Sequence, residues 1–173
     1  MASTRTVSAL LGATFLTGLI AGGGVDRAFV AMPAWNQVGS LAWATCSRNA
    51  DLGHGLVLYP LEAIGSAGLA FAAAVSSAFD DARQGIKPLV LAAVMASAAL
   101  LVTTQAAPIM LGVGHLDDPA AVQRAFEGFR YWGDIRGVCH VIAFVAELYA
   151  IAVMMSPHPR LSINAPTLPK RLA

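Results

Sequence analysis

The 173 residues are 57% hydrophobic and only 12% charged, with a formal net charge of +1 and a mean hydropathy of +0.64, which places the chain among membrane proteins with room for one domain. So even a charge balance supplies no Lys/Arg stripe to neutralise a row of phosphates, and nucleic acid is excluded as a partner. Cys46 and Cys139 form no CxxC and no metal-ligand spacing, which excludes a zinc ribbon or a thioredoxin-like pair and leaves one disulfide or two buried thiols.

Crossing a hydrocarbon core takes roughly 20 helical residues, and four apolar runs qualify, at about Ser8–Val25, His54–Phe79, Leu89–Val113 and Ile135–Met155. Lipid offers no partner to an unpaired backbone group and the runs are too long for barrel strands, so they are predicted as helices. The expected fold is an all-α, four-helix transmembrane bundle over residues 1–156, followed by a proline-bearing, disordered tail at 157–173. Arg5, the apolar run after it and Ala21-Gly22-Gly23 also fit a cleaved leader. The run is longer than a usual leader, and Gly12, Ala13, Thr17 and Gly18 are residues that let helices approach closely, so the helix is the preferred reading.

Two long connections lie opposite the termini and carry Trp35, Trp43, Tyr131 and Trp132, an anchor belt for one interface. After Pro33, Trp35, Val38, Ala42 and Cys46 recur at helical spacing, which predicts an amphipathic helix lying in that interface. Asp118-Pro119 is an N-cap and first-turn pair opening a helix with Val122, Phe126 and Phe129 on one face, which leads into the fourth span. These segments are read either as a lid over the bundle or as plain connections with a membrane-facing stripe. Arg5, Arg83, Lys87, Arg160, Lys170 and Arg171 share the side of the termini, against Arg27, Arg48, Arg124, Arg130 and Arg136 opposite. The positive-inside rule then sets the termini in the cytoplasm and the protein in the cell membrane as a multi-pass chain.

Charged groups at mid-membrane cost on the order of 2.5–3.5 kcal/mol on insertion scales, so they face the bundle interior and mark functional sites. Here they are Glu62, His140 and Glu147, with Thr103, Thr104 and Gln105 in the third span and His54 and Arg136 near outer span ends. At 1.5 Å per residue Glu62 and Gln105 each fall ~12 Å from the outer ends of their spans. Arg136, His140 and Glu147 share one face of the fourth. Pro60 and Pro108, at similar depth, bend their helices. A polar pocket in the outer half of the bundle is expected. The same groups also suit an interhelical pair in which Glu62 meets His140 or Arg136. Two His and two Glu suit iron or copper, but no two have a diagnostic ligand spacing, so no metal is expected. Asp26-Arg27 is expected to end the first helix and to pair locally or with Arg48, Asp51 or Asp134.

No GxSxG, Walker loop, GxGxxG after a strand or HExxH occurs. A glycine-rich first span, Trp35 and Trp43 in the first connection, Pro108 late in the third span, and Trp132 and Arg136 at the mouth of the fourth together resemble the anthrone oxygenase-like family of small four-span membrane proteins. In that family a His or Asn precedes the arginine; here Asp134 does, and the histidine follows at His140. The resemblance implies an oxygenase that needs no metal, flavin or other cofactor and oxidises the activated methylene of a phenolic, polyketide-like substrate. It casts His140 as base, Glu62 or Glu147 as its orienting group and Arg136 as the phenolate's counter-charge, with Gln105, His54 and Trp132 as ligand contacts. Two noncatalytic readings stand beside it: a lipid or quinone binder, and an accessory subunit or homo-oligomer packing against a membrane partner.

Overall fold

The computed structural model describes residues 2–80 and 85–156; the expected disordered tail, 157–173, and Arg83 lie outside them. Ser3 opens α1 (Thr4–Asp26) by accepting the Thr6 N–H on its hydroxyl at 3.3 Å, which satisfies one of the free donors of a first turn. The helix does not end at Asp26-Arg27. It passes through a π turn at Arg27–Ala31 into α2 (Met32–Val38). Pro33 explains the widened turn: it has no N–H to bond back to Phe29 and its ring crowds that carbonyl. Gly39, at φ 102°, then breaks the rod in a conformation only glycine adopts freely, and α3 (Ser40–Asn49) follows.

α4 (Gly55–Phe79) and α5 (Ile86–Gly112) fall close to the expected spans. α6 (Pro119–Met155) runs 37 residues unbroken, capped by Asp118, whose carboxylate accepts the Ala120 and Ala121 N–H groups. The helix expected from Asp118-Pro119 leads without a break into the fourth span and forms the first half of α6. Four helical rods, Thr4–Val38, Gly55–Phe79, Ile86–His115 and Pro119–Met155, are long and apolar enough to cross a membrane. The protein is an all-α, multi-pass integral membrane protein.

The rods form a ring in which α1 and α5 each pack against both α4 and α6. At the proximal end the Ser3 N–H and Thr6 hydroxyl donate to Asp80 Oδ2 at 3.0 and 2.9 Å, and Gly85 abuts Met154. The start of α1 and the end of α6 thus share one side, as the even number of spans requires. The proximal half is packed by small residues: Ala13, Ala70, Ala73, Ala93 and Ala150 around Leu10 and Leu89, topped by Ala67, Ala96 and Ala143. Between helices in lipid the attraction is close packing rather than hydrophobicity, and small side chains permit it. Gly12 and Gly18 play the expected part, Gly12 facing Leu69 of α4 and Gly18 the Phe144 ring of α6.

At 1.5 Å per residue α6 is about 55 Å long, well beyond a hydrocarbon core of about 30 Å. Its distal half joins α2 and α3 in a cap with an aromatic core of its own. Trp43, fully buried, stands edge-on to Phe126 with centroids 5.4 Å apart and tilted to Phe129 at 5.8 Å, over Met32, Met110, Val113 and Val122. Val122, Phe126 and Phe129 share the predicted face. Of the expected stripe, Val38, Ala42 and Cys46 are exposed and Trp35 half-buried, and Gly39 breaks the helix after Val38. Trp43, Ala44 and Ser47 turn inward instead, while Val38 is 68% exposed. Arg48 fastens α3 to the end of α5 by donating to the Val113 and Leu116 carbonyls. Both cysteines are free thiols, Cys46 exposed and Cys139 buried.

Candidate functional site

Between the alanine-packed half and the aromatic cap lies a cavity of about 390 Å³, walled by α1, α4, α5 and α6. Two features of the sequence make it. The first is α4: none of the buried residues of the aromatic cap comes from this helix, and its distal residues Leu56, Val57, Leu61 and Ile64 are at least 50% exposed. Distal to the cluster of Ala67 with Ala96, the cavity is lined by Pro60, Ala63 and Ile64 of α4 and by Leu100, Thr103 and Ala107 of α5. The second is a set of absent side chains. Gly23 and Gly24 of α1 and Gly133 and Gly137 of α6 line the space. A Cβ placed on Gly23, Gly133 or Gly137 meets nothing within 4 Å, and one on Gly24 first meets the Gly137 Cα at 3.7 Å.

Three of the residues singled out from the sequence face this cavity together: Glu62 from α4, and Arg136 and His140 from one face of α6. His140 is 2% and Glu62 9% exposed. Among the described residues none of the three side chains has an ion-pair or hydrogen-bond partner, so their polar atoms are turned to the cavity rather than to one another. The interhelical pairing of Glu62 with His140 or Arg136 is not formed.

A second polar cluster crowns the cavity. Arg27, on the π turn, donates to Asp51 Oδ1 at 2.6 Å and to the Tyr59 hydroxyl at 3.3 Å, and that hydroxyl donates to the same Asp51 oxygen at 3.2 Å. Its guanidinium lies 5.6 Å from the ring centroids of both Tyr59 and Phe129, within cation–π range. Of the partners expected for Arg27, Asp51 is the one found; Asp134 instead faces Arg130 at 4.0 Å on the exposed rim. Nothing in the sequence marked Tyr59 as part of a site, since a tyrosine near a span end reads as an interface anchor. Arg27 was obscured by the glycine run before it, which looks like a helix exit.

The remaining candidates stand elsewhere. Glu147 is fully buried but lies seven residues, about 10 Å, below His140, where its Oε1 accepts the Thr17 hydroxyl at 3.1 Å and its Oε2 has no partner. Neither Glu62 nor Glu147 bonds to His140, so neither orients it. Gln105 is exposed, with its amide on the Thr104 hydroxyl at 3.4 Å; Thr103 is the residue of that turn that lines the cavity. His54 is exposed at the start of α4. Trp132 packs against the aromatic cap beside Tyr131. None of these four lines the cavity.

Fold and site together define a multi-pass membrane protein with one polar-headed, apolar-walled chamber in the distal half of its bundle. No family model, curated protein or solved structure matches the chain.

Proposed function

We propose that the chamber takes a lipophilic phenol, of the polyketide kind implied by the family resemblance, and oxidises its activated methylene with O₂, without a metal or flavin. The observation that carries this reading is the convergence of His140, Arg136 and Glu62, all unpartnered among the described residues, on an apolar cavity of about 390 Å³, within the usual size range of small-molecule sites. His140 removes the methylene proton while Arg136 stabilises the phenolate, and the delocalised carbanion passes an electron to O₂. Recombination gives a peroxide at that carbon; loss of water leaves the carbonyl, so CH₂ and O₂ become C=O and H₂O. The termini are assigned to the cytoplasmic side of the cell membrane by the basic residues there, which puts the chamber in the outer leaflet.

Incubating the purified protein with a hydroxylated anthrone tests the reading by quinone absorbance and oxygen uptake. Turnover that falls at least 100-fold in His140→Ala supports a base at that position. An unchanged rate removes it. One observation favours a noncatalytic lipid or quinone binder: among the described residues no side chain fixes the orientation of His140, whereas catalytic bases usually have such a partner. Saturable binding of the anthrone with no oxygen uptake would select that reading.

A further inference from the structure

We infer that the chamber is built for a lipophilic monoanion that reaches it sideways from the bilayer, with its oxyanion head between Arg27 and Arg136 and its apolar body in the cleft between α4 and α5. This deepens the reading above and rests on the chamber being its ligand site, but it does not require turnover.

The head is assigned by an unpaired guanidinium. Arg27, Arg136 and Asp51 all line the chamber. The Asp51 carboxylate is already engaged by Arg27 at 2.6 Å and by Tyr59 at 3.2 Å. Arg136 has no hydrogen-bond or ion-pair partner of its own among the described residues, and Glu62, the other carboxyl of the lining, does not pair with it. Arg130, the third guanidinium of the lining, stands opposite Asp134. An unpaired guanidinium against an apolar chamber loses hydration without compensation, and a planar oxyanion restores what it lacks. His140, one helical turn deeper, 2% exposed and without a partner among the described residues, offers the head or the first polar group behind it a second contact.

The route is assigned by the packing. α4 follows α1 along its distal half, held there through Tyr59 and Arg27, while α5 follows α6 into the aromatic cap. The wall between α4 and α5 above Ala67 and Ala96 is left to apolar residues that line the chamber and also reach the outside, among them Leu56, Ile64 and Leu111, each at least 50% exposed. In a bilayer that opening faces acyl chains, so an apolar body leaves or enters through it without crossing water. A chain-bearing acid fits both ends of the path.

The test uses the full chain in nanodiscs of zwitterionic lipid and displacement of a fluorescent fatty acid by oleate, methyl oleate and phosphatidate. Oleate is expected to bind, and methyl oleate roughly tenfold or more weakly, the scale of a lost hydrogen bond to a charged group. Arg136→Gln should erase the preference and Arg136→Lys keep it. Ala107→Trp, which plugs the cleft, should block binding while melting at the wild-type temperature. Displacement by phosphatidate that also depends on Arg136 identifies a lipid headgroup as the source of the oxyanion; displacement by oleate alone identifies a free acid. Equal binding of acid and ester, or wild-type selectivity in Arg136→Gln, overturns the inference, as does undiminished binding in Ala107→Trp. Acid-selective binding without quinone formation would sink only the oxygenase reading. Quinone formation by a wild-type protein that binds acid and ester equally would sink only this one.

Discussion

Replacing the wall glycines by alanine separates a chamber kept open for a ligand from an accident of packing. Gly133 and Gly137 sit in the interior of α6, where glycine costs about 0.5–1 kcal/mol relative to alanine through backbone entropy. A new Cβ at either position meets nothing within 4 Å, so no clash offsets the gain. Each single substitution should therefore stabilise the protein by about 0.5–1 kcal/mol, a rise of roughly 1–4 °C in melting temperature for a chain of this size. Both new methyl groups project into the 390 Å³ space, so ligand affinity should fall, and fall further in the double variant and in Gly137→Val. Gly65→Ala is the control: its Cβ would lie 2.7 Å from Leu16 Cδ1. That leucine must move, and the stability gain is offset with the chamber untouched. Scanning fluorimetry in detergent gives the first quantity and ligand displacement in nanodiscs the second. Lower melting temperatures in Gly133→Ala and Gly137→Ala, or wild-type affinity in the double variant, would refute the argument.

Three further outcomes are expected. Thr17→Val removes the hydrogen bond that the Glu147 side chain accepts from α1 and should cost about 0.6–2 kcal/mol, the range for hydrogen bonds between membrane helices; Glu147→Gln, which keeps the acceptor, should melt near wild type, and neither change should affect ligand binding. Tyr59→Phe deletes the hydroxyl between Arg27 and Asp51 and should lower stability by about 0.5–1.5 kcal/mol while raising the ligand off-rate, measured by displacement kinetics. Asp80 is held below the usual aspartate range by the Ser3 backbone N–H, with the Thr6 hydroxyl adding to it. Because the folded value is the lower one, the unfolded chain takes up the proton first as pH falls. The contribution of Asp80 is complete above the ordinary aspartate range, shrinks as pH drops through it and vanishes below the native value. Melting temperature followed from about pH 5 to pH 2 should show a fall that Asp80→Asn flattens.

The four rods were legible because apolar runs of that length leave the backbone no other way to satisfy itself in lipid. Asp118-Pro119 was legible because a cap acts through neighbours in sequence. What sequence hid was set by rotation and by distant partners. Thr103, Thr104 and Gln105 are consecutive and polar, and each step along a helix turns a side chain by about 100°; hydropathy cannot say which one looks inward, and the fold selects Thr103. The cost of burying charge correctly turned Glu62, His140 and Glu147 away from lipid, yet it fixes a face and not a depth. Glu147 falls below the seal made by Ala67, Ala96 and Ala143. Arg27 looked like a terminus because its partners, Asp51 and Tyr59, lie 24 and 32 residues away.

The same gradation along one helix explains why the chamber persists. From its proximal end α6 presents Ala150, Ala146 and Ala143, then Gly137 and Gly133, then Phe129 and Phe126. Alanines close the bundle below, aromatic rings fill the wider cap above, and glycines lie between, where the helices are held at a spacing that neither neighbour can change. Collapse would require the distal half of α4 to fold onto α5. Tyr59 instead ties α4 to Arg27 and Asp51, and the Trp43 cluster ties α5 to α6 and α3. With both walls anchored away from the gap, the void is set by the packing on either side of it, and its polar heads remain aimed into space that only a bound molecule or solvent can fill.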